Sequence, residues 1–236
     1  MKVFASITLV LLLASCSPDG IAPAQQQFSV SGLSYKNGAG LPANPSNPED
    51  FIGTLYSELL QEYELLNTKP ATLPLLIQQC ETLAWINADF LALDDFSAYD
   101  PISVSDVQVY QNIDAADLRS HLSFGYSTAG KDLYVALADE LTVLKASDGT
   151  YQEACQAIMA TEALIITAPN LTATERHAML MATSIMRNAV YNNGRKRKRD
   201  RDWEWMTGHY AAAANGALES SPQALLLSFV TDIYDN

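Results

Sequence analysis

The chain has 236 residues, 27 acidic and 14 basic, with a formal net charge of −13 and 48% hydrophobic residues. That is ample material for one good-sized core or two small ones and excludes a disordered chain. The acidic balance argues against broad binding to nucleic acid or anionic lipid. The charge is uneven: residues 49–170 carry 4 basic and 19 acidic side chains, whereas residues 171–236 carry 8 and 7.

The first predicted element is a leader. Lys2 precedes the apolar run Val3 to Leu13, and the small residues Ala14 and Ser15 lead to Cys16. A basic start, a short apolar core and small residues before a cut predict an export signal over residues 1–15. The run falls short of the roughly twenty apolar residues a spanning helix needs. Leu13-Ala14-Ser15-Cys16 resembles the lipobox of bacterial lipoproteins. The resemblance implies lipid attachment at Cys16: a diacylglycerol on the thiol and a further acyl chain, such as palmitate, on the freed amine. Two or more chains anchor stably where one does not. Ser17 stands where enterobacterial inner-membrane lipoproteins have Asp, which implies the outer membrane and leaves its face undecided. Leu225 to Val230, the most apolar stretch near the C-terminus, is too short to span.

Residues 16–47 hold four prolines, four glycines and Gln25-Gln26-Gln27, a composition that predicts a flexible tether after the lipidated Cys. The all-helical domain is expected from residue 48 to 236. Asn47, Pro48, Glu49 and Asp50 suit a helix start, and Phe51, Ile52, Leu55, Tyr56, Leu59, Leu60, Tyr63 and Leu66 recur at helical spacing. Thr72 and Pro74 open a segment expected to reach about Leu93. An irregular stretch, Leu93 to Ile113, precedes a shorter helix from Asp114 to about Ser123. Helices are then expected over Asp132 to Ala146 and Tyr151 to Thr167. Thr172 and Glu175 form a capping box opening a helix to about Tyr191, with Asn192-Asn193-Gly194 as its stop. Asp202 to Leu218 and Pro222 to Tyr234 complete the set, the last capped by Ser221. Period-two alternation is lacking in this body, so the expected fold is all-α: a single bundle or orthogonal domain of about seven or eight helices.

Gly125-Tyr126-Ser127-Thr128-Ala129-Gly130-Lys131-Asp132 comes near a P-loop but places Asp132 where the magnesium-holding hydroxyl belongs, so it reads as a glycine-rich turn before a helix. Arg195, Lys196, Arg197, Lys198, Arg199 and Arg201 are the densest charge cluster. Behind an export signal, nucleic acid is not an expected partner; the run is either a solvated loop or a contact with an acidic surface, lipid headgroup or envelope protein. Trp203 and Trp205 follow, facing opposite ways if helical, and join the candidate contact. His121, His177 and His209 are scattered, no metal-ligand spacing links them, and neither a metal nor a cofactor is expected. Asp94, Asp95, Asp100 and Asp106 lack the spacing of an EF-hand. The run Ala211 to Ala217 permits a close helix crossing. Cys80 and Cys155 either form a disulfide, closing a loop of about 75 residues worth on the order of 4 kcal/mol, or sit reduced in apolar surroundings.

Asn47-Pro48-Glu49-Asp50-Phe51-Ile52-Gly53 is similar to the opening of the folded region in small uncharacterised lipoproteins of Bacteroidota, a resemblance that supplies context and no activity. The leading functional expectation is a lipid-anchored envelope protein acting by binding a protein or envelope component. One alternative is an envelope hydrolase, with acids from residues 94–106 converging on His121 or His209. The other is small-ligand or lipid binding in a cavity between helices.

Overall fold

The structure of the chain, a computed structural model, describes residues 42–66, 69–196 and 205–235. Among them every regular element is helical. The seven long helices are α1 (Asp50–Glu64), α2 (Leu73–Ile86), α6 (Thr128–Ala146), α7 (Tyr151–Thr167), α8 (Ala173–Lys196), α9 (Thr207–Glu219) and α10 (Ser221–Asp235). Three short ones, α3 (Ala88–Leu91), α4 (Val104–Gln108) and α5 (Leu118–His121), lie between α2 and α6. This is the all-α class that the periodicity predicts. None of the helices is long and apolar enough to cross a membrane among the described residues.

α8 runs through the middle. From Ala178 to Val190 all of its residues except Ala189 are buried, as expected of a helix with neighbours on every side. α1, α7 and α9 pack around it. α10 pairs with α9 and also reaches α1 and α2, while α6 lies outside α7. Ala211 to Ala214 are fully buried on α9, which packs closely against both α8 and α10, a use that fits the small-residue run.

Several boundaries depart from the sequence reading, each for an identifiable reason. The segment opened by Thr72 stops at Asn87 rather than near Leu93. The Asn87 side chain accepts from the N–H groups of Asp89 and Phe90 at 2.9 and 3.0 Å, so it caps a new helix instead of continuing the old one. Asn192-Asn193-Gly194 does not stop α8. Asn192 is buried and donates to Ser57 Oγ at 2.8 Å. Gly194 lies inside the helix because Tyr151 presses on it; a Cβ there would stand 2.5 Å from the Cβ of Tyr151. α6 begins four residues before the expected Asp132, with Ser127 Oγ accepting from Gly130 N at 3.2 Å, so the P-loop-like stretch is helix from Thr128 onward. Thr172 and Glu175 do form the capping box, with bonds of 3.1 and 3.0 Å. α9 starts at Thr207 and Trp205 is non-helical, so the opposite-faces argument for the tryptophans does not apply to it.

Candidate functional site

Polar residues enter the core where α8 meets α1. Ser184, Asn188 and Asn192 occupy successive turns, and α1 answers with Gly53 and Ser57. Gly53 N donates to Ser184 Oγ at 3.1 Å and Ser57 Oγ to Asn188 Oδ1 at 3.0 Å. One turn away lies Arg187, fully buried. Its guanidinium donates to the Asp50 carboxylate, to the carbonyl of Pro42, and through Nη2 and Nε to Glu162 Oε1 at 3.2 and 3.3 Å. Glu162, also fully buried, accepts from Asn44 Nδ2 at 2.6 Å and Asn47 Nδ2 at 2.9 Å. A buried carboxylate and guanidinium are tolerable only when paired and hydrogen-bonded in this way. The arrangement fastens residues 42–50, six of which composition assigns to the tether, onto α7 and α8. Asn47 is an anchor in this clamp more than a helix cap.

A cavity of about 620 Å³ opens where the last turns of α1 and α10, the end of α8 and the start of α2 meet. Leu60, Leu76, Ala189 and Ile233 supply its apolar wall; Tyr63, Glu64, Lys69, Asn193, Asp232 and Tyr234 supply its polar groups. The Lys69 ammonium lies 5.7 Å from the centre of the Tyr63 ring. Asp232 accepts a hydrogen bond from the buried Tyr56 hydroxyl. His209 stacks on Tyr56 with ring centres 5.5 Å apart, and its buried Nε2 has no hydrogen-bond partner. Burial pushes the His209 imidazole below its ordinary value, with nearby Asp232 opposing. A smaller void behind the cavity is lined by His209 and Trp205, and shares Ala189, Asn193 and Asp232 with it. His209 is thus neither a surface residue nor a fully satisfied one.

A second cavity, of about 770 Å³, lies at the other end of α8 and is strongly acidic: Glu49, Glu58, Asp89, Asp94 and Asp95 line it with His177. His177 Nδ1 pairs with Glu49 Oε1 at 2.8 Å. Burial, and then Asp89 and Glu62, push the Glu58 carboxyl above the usual range. Asp95 accepts from Ser221 N and Oγ at 2.6 and 3.0 Å.

The acids and histidines of the hydrolase alternative do not converge. Asp94 and Asp95 face the acidic cavity, Asp106 closes a capping box with Ser103, and Asp100 N donates to Gln223 at 3.4 Å. His121 sits against the Asp117 carbonyl at 3.0 Å, and His209 lies with Tyr56 and Asp232. No group of three His, Cys, Asp or Glu among the described residues has metal-holding geometry. Cys80 and Cys155 are both free and buried, the reduced alternative of the sequence reading.

Of the sequence-predicted contact residues, Arg195 is exposed on the last turn of α8 with its guanidinium 5.7 Å from the Tyr191 ring centre. Lys196 is the final residue of α8, and Trp205 is half-buried against the core. Arg197, Lys198, Arg199, Arg201 and Trp203 lie outside the described residues, as do Cys16 and the leader. Periodicity placed Tyr56 and Tyr63 in the core stripe and gave no sign that Tyr63 lines a cavity or that Tyr56 bonds to an acid of its wall. Asp232, a lone acid at the end of the apolar run from Leu225, was the available signal. No protein-family model matches the chain, and neither a curated protein nor a solved structure shows significant similarity to it.

Proposed function

We propose that the chain is a lipid-anchored protein of the bacterial envelope that works by binding, and that its helical body takes a small ligand in the cavity between α1, α2, α8 and α10. The observation that carries this reading is the cavity itself. About 620 Å³ of mixed apolar and polar lining, backed by a buried Tyr–Asp contact and an unpartnered imidazole nitrogen, falls within the size and composition of small-ligand sites. The anchor rests on Leu13-Ala14-Ser15-Cys16, and Ser17 in place of Asp favours a body held at the outer membrane.

The test is native mass spectrometry of the full chain extracted from membranes. The wild type should carry acyl groups that Cys16→Ala lacks, and a non-covalent adduct that Ala189→Phe, which fills the cavity, releases without loss of helicity. An adduct indifferent to Ala189→Phe ends the cavity reading; a wild type without acyl groups ends the anchor reading.

An envelope protein partner at the basic run is a companion proposal. Arg195 stands two residues beyond Asn193 of the cavity lining, so a partner held by Arg195 to Arg199, Arg201, Trp203 and Trp205 would dock beside the site. Reversing those charges should remove a partner cross-linked in envelopes; an unchanged set of cross-linked proteins ends that proposal.

A further inference from the structure

We infer that the cavity takes a ligand bearing a protonated amine, and that the Lys69 ammonium stands where the ligand's amine binds. The inference rests on the cavity reading above and narrows it to a ligand class, a short aliphatic or aromatic amine.

Three independent features point the same way. The Tyr63 ring already receives a cation on its face, the Lys69 ammonium at 5.7 Å, an attraction that any ammonium of similar size reproduces. Two carboxylates, Glu64 and Asp232, line the cavity, with Lys69 the one cation among its described lining residues. Their negative charge crosses the wall: both help push the buried Tyr56 hydroxyl up, after burial itself. Beside them Asp235 is pushed up by burial and then by Asp232, as happens when acids crowd one another. Finally, α1 and α10 both end at this cavity, contributing Tyr63 and Glu64 from one last turn and Asp232 to Tyr234 from the other. Helix C-termini carry about half a negative charge each and favour cations within the last turn; the N-terminus of α2 at the same cavity offsets one of the two, leaving the balance negative.

The apolar part of the lining sets the rest of the ligand. Leu60 and Leu76 are buried beneath the opening, giving a short hydrocarbon stem a surface to cover while its amine reaches Tyr63, Glu64 and Asp232. Lys69 presents the same combination, a four-carbon stem ending in an ammonium, from an exposed position on the rim. It is therefore a tethered competitor. Removing its charge frees the ring face and leaves the acids in place.

The test is calorimetric titration of the detergent-solubilised full chain with three probes of equal length: hexylamine, hexanol and hexanoate. Hexylamine should bind about tenfold or more tightly than either of the others, the discrimination expected of a desolvated cation on an aromatic face beside carboxylates. Lys69→Gln should tighten hexylamine several-fold and Glu64→Gln should weaken it, each with an unchanged unfolding midpoint, since both residues are exposed. Hexanoate binding best, and lost in Lys69→Gln, would overturn the amine inference and leave the cavity reading standing. Equal binding of all three probes does the same. Binding of hexylamine that Lys69→Gln weakens also overturns it, since Lys69 would then be a ligand-holding group and not a competitor. Absence of binding by every probe, with no adduct displaced by Ala189→Phe, overturns the inference and the cavity reading together.

Discussion

The Tyr56 hydroxyl donates to the Asp232 carboxylate, joining the middle of α1 to the last turns of α10 directly beneath the cavity. Burial first, then Asp232, pushes the phenol well above its ordinary value, so Tyr56 remains a donor throughout the physiological range. Its ring packs edge-on against Phe229, with centres 6.1 Å apart.

Tyr56→Phe keeps that packing and deletes only the donor. The expected cost is about 1.5–3 kcal/mol, the range for a hydrogen bond to a charged group, read as a lower denaturant midpoint with an unchanged slope. A loss below about 0.5 kcal/mol would show that Asp232 finds water through the cavity as readily as it finds Tyr56.

His209 makes stability depend on pH in a defined direction. Burial holds its folded value below the unfolded one of about 6.5. The unfolded chain therefore binds the extra proton first, so the contribution of neutral His209 is complete above about pH 6.5 and is lost as pH falls through the folded value. His209→Phe retains a ring beside Tyr56. Whatever it costs at pH 7.5, the variant should lose less stability than the wild type between about pH 6.5 and 5. Unfolding curves at three pH values decide it; parallel losses in the two proteins would show that His209 is not proton-linked.

Much of the fold was legible because helical periodicity and capping chemistry are local. The stripe from Ile52 to Tyr63 is buried as read, although Phe51 is 52% exposed, and α7 has the expected ends because Thr150 and Glu153 close a capping box on it. The errors fall where a cap was missed, as at Asn87 and Ser127, or where a distant segment overrides local propensity. Gly194 looks like a stop until Tyr151, some forty residues away, occupies the space a side chain would need. The site was much less legible for the same reason. Tyr56 lies more than 150 residues before His209 and Asp232, and the three come together only through the packing of α1, α9 and α10. Arg187 reads as one ordinary cation in a mixed helix, and nothing local marks it, with Glu162, as a fully buried charge.

The two cysteines should be chemically silent in the folded protein. Burial pushes the Cys155 thiol up to about 12, with Arg187 pulling the other way, and burial drives Cys80 further in the same direction. The thiolate is the reacting form. A thiol reagent at pH 8 should therefore label neither residue in the native state and both in denaturant. Failure to label either one in denaturant would indicate a disulfide or another blocked state; rapid native labelling would show that the core around α2 or α7 opens readily.

Arg187 offers the sharpest separation between a clamp and an ordinary core residue. Arg187→Met fills similar volume and leaves Glu162 buried with Asn44 and Asn47 as its remaining partners. Breaking one side of a buried pair typically costs about 3–5 kcal/mol, so this variant should be among the least stable single substitutions of the domain. Arg187→Lys should recover little, because one ammonium cannot reach Asp50, Glu162 and the Pro42 carbonyl with the geometry of a guanidinium fork. Replacing both charges, Arg187→Met with Glu162→Met, removes the stranded carboxylate and should restore part of the loss. The clamp adds a second readout that a simple packing defect would not move. If Arg187 fastens residues 42–50 to α7 and α8, Arg187→Met should expose that segment to limited proteolysis under conditions where the rest of the chain stays folded. Uniform destabilisation with unchanged cleavage there would reduce Arg187 to a core residue that happens to be charged.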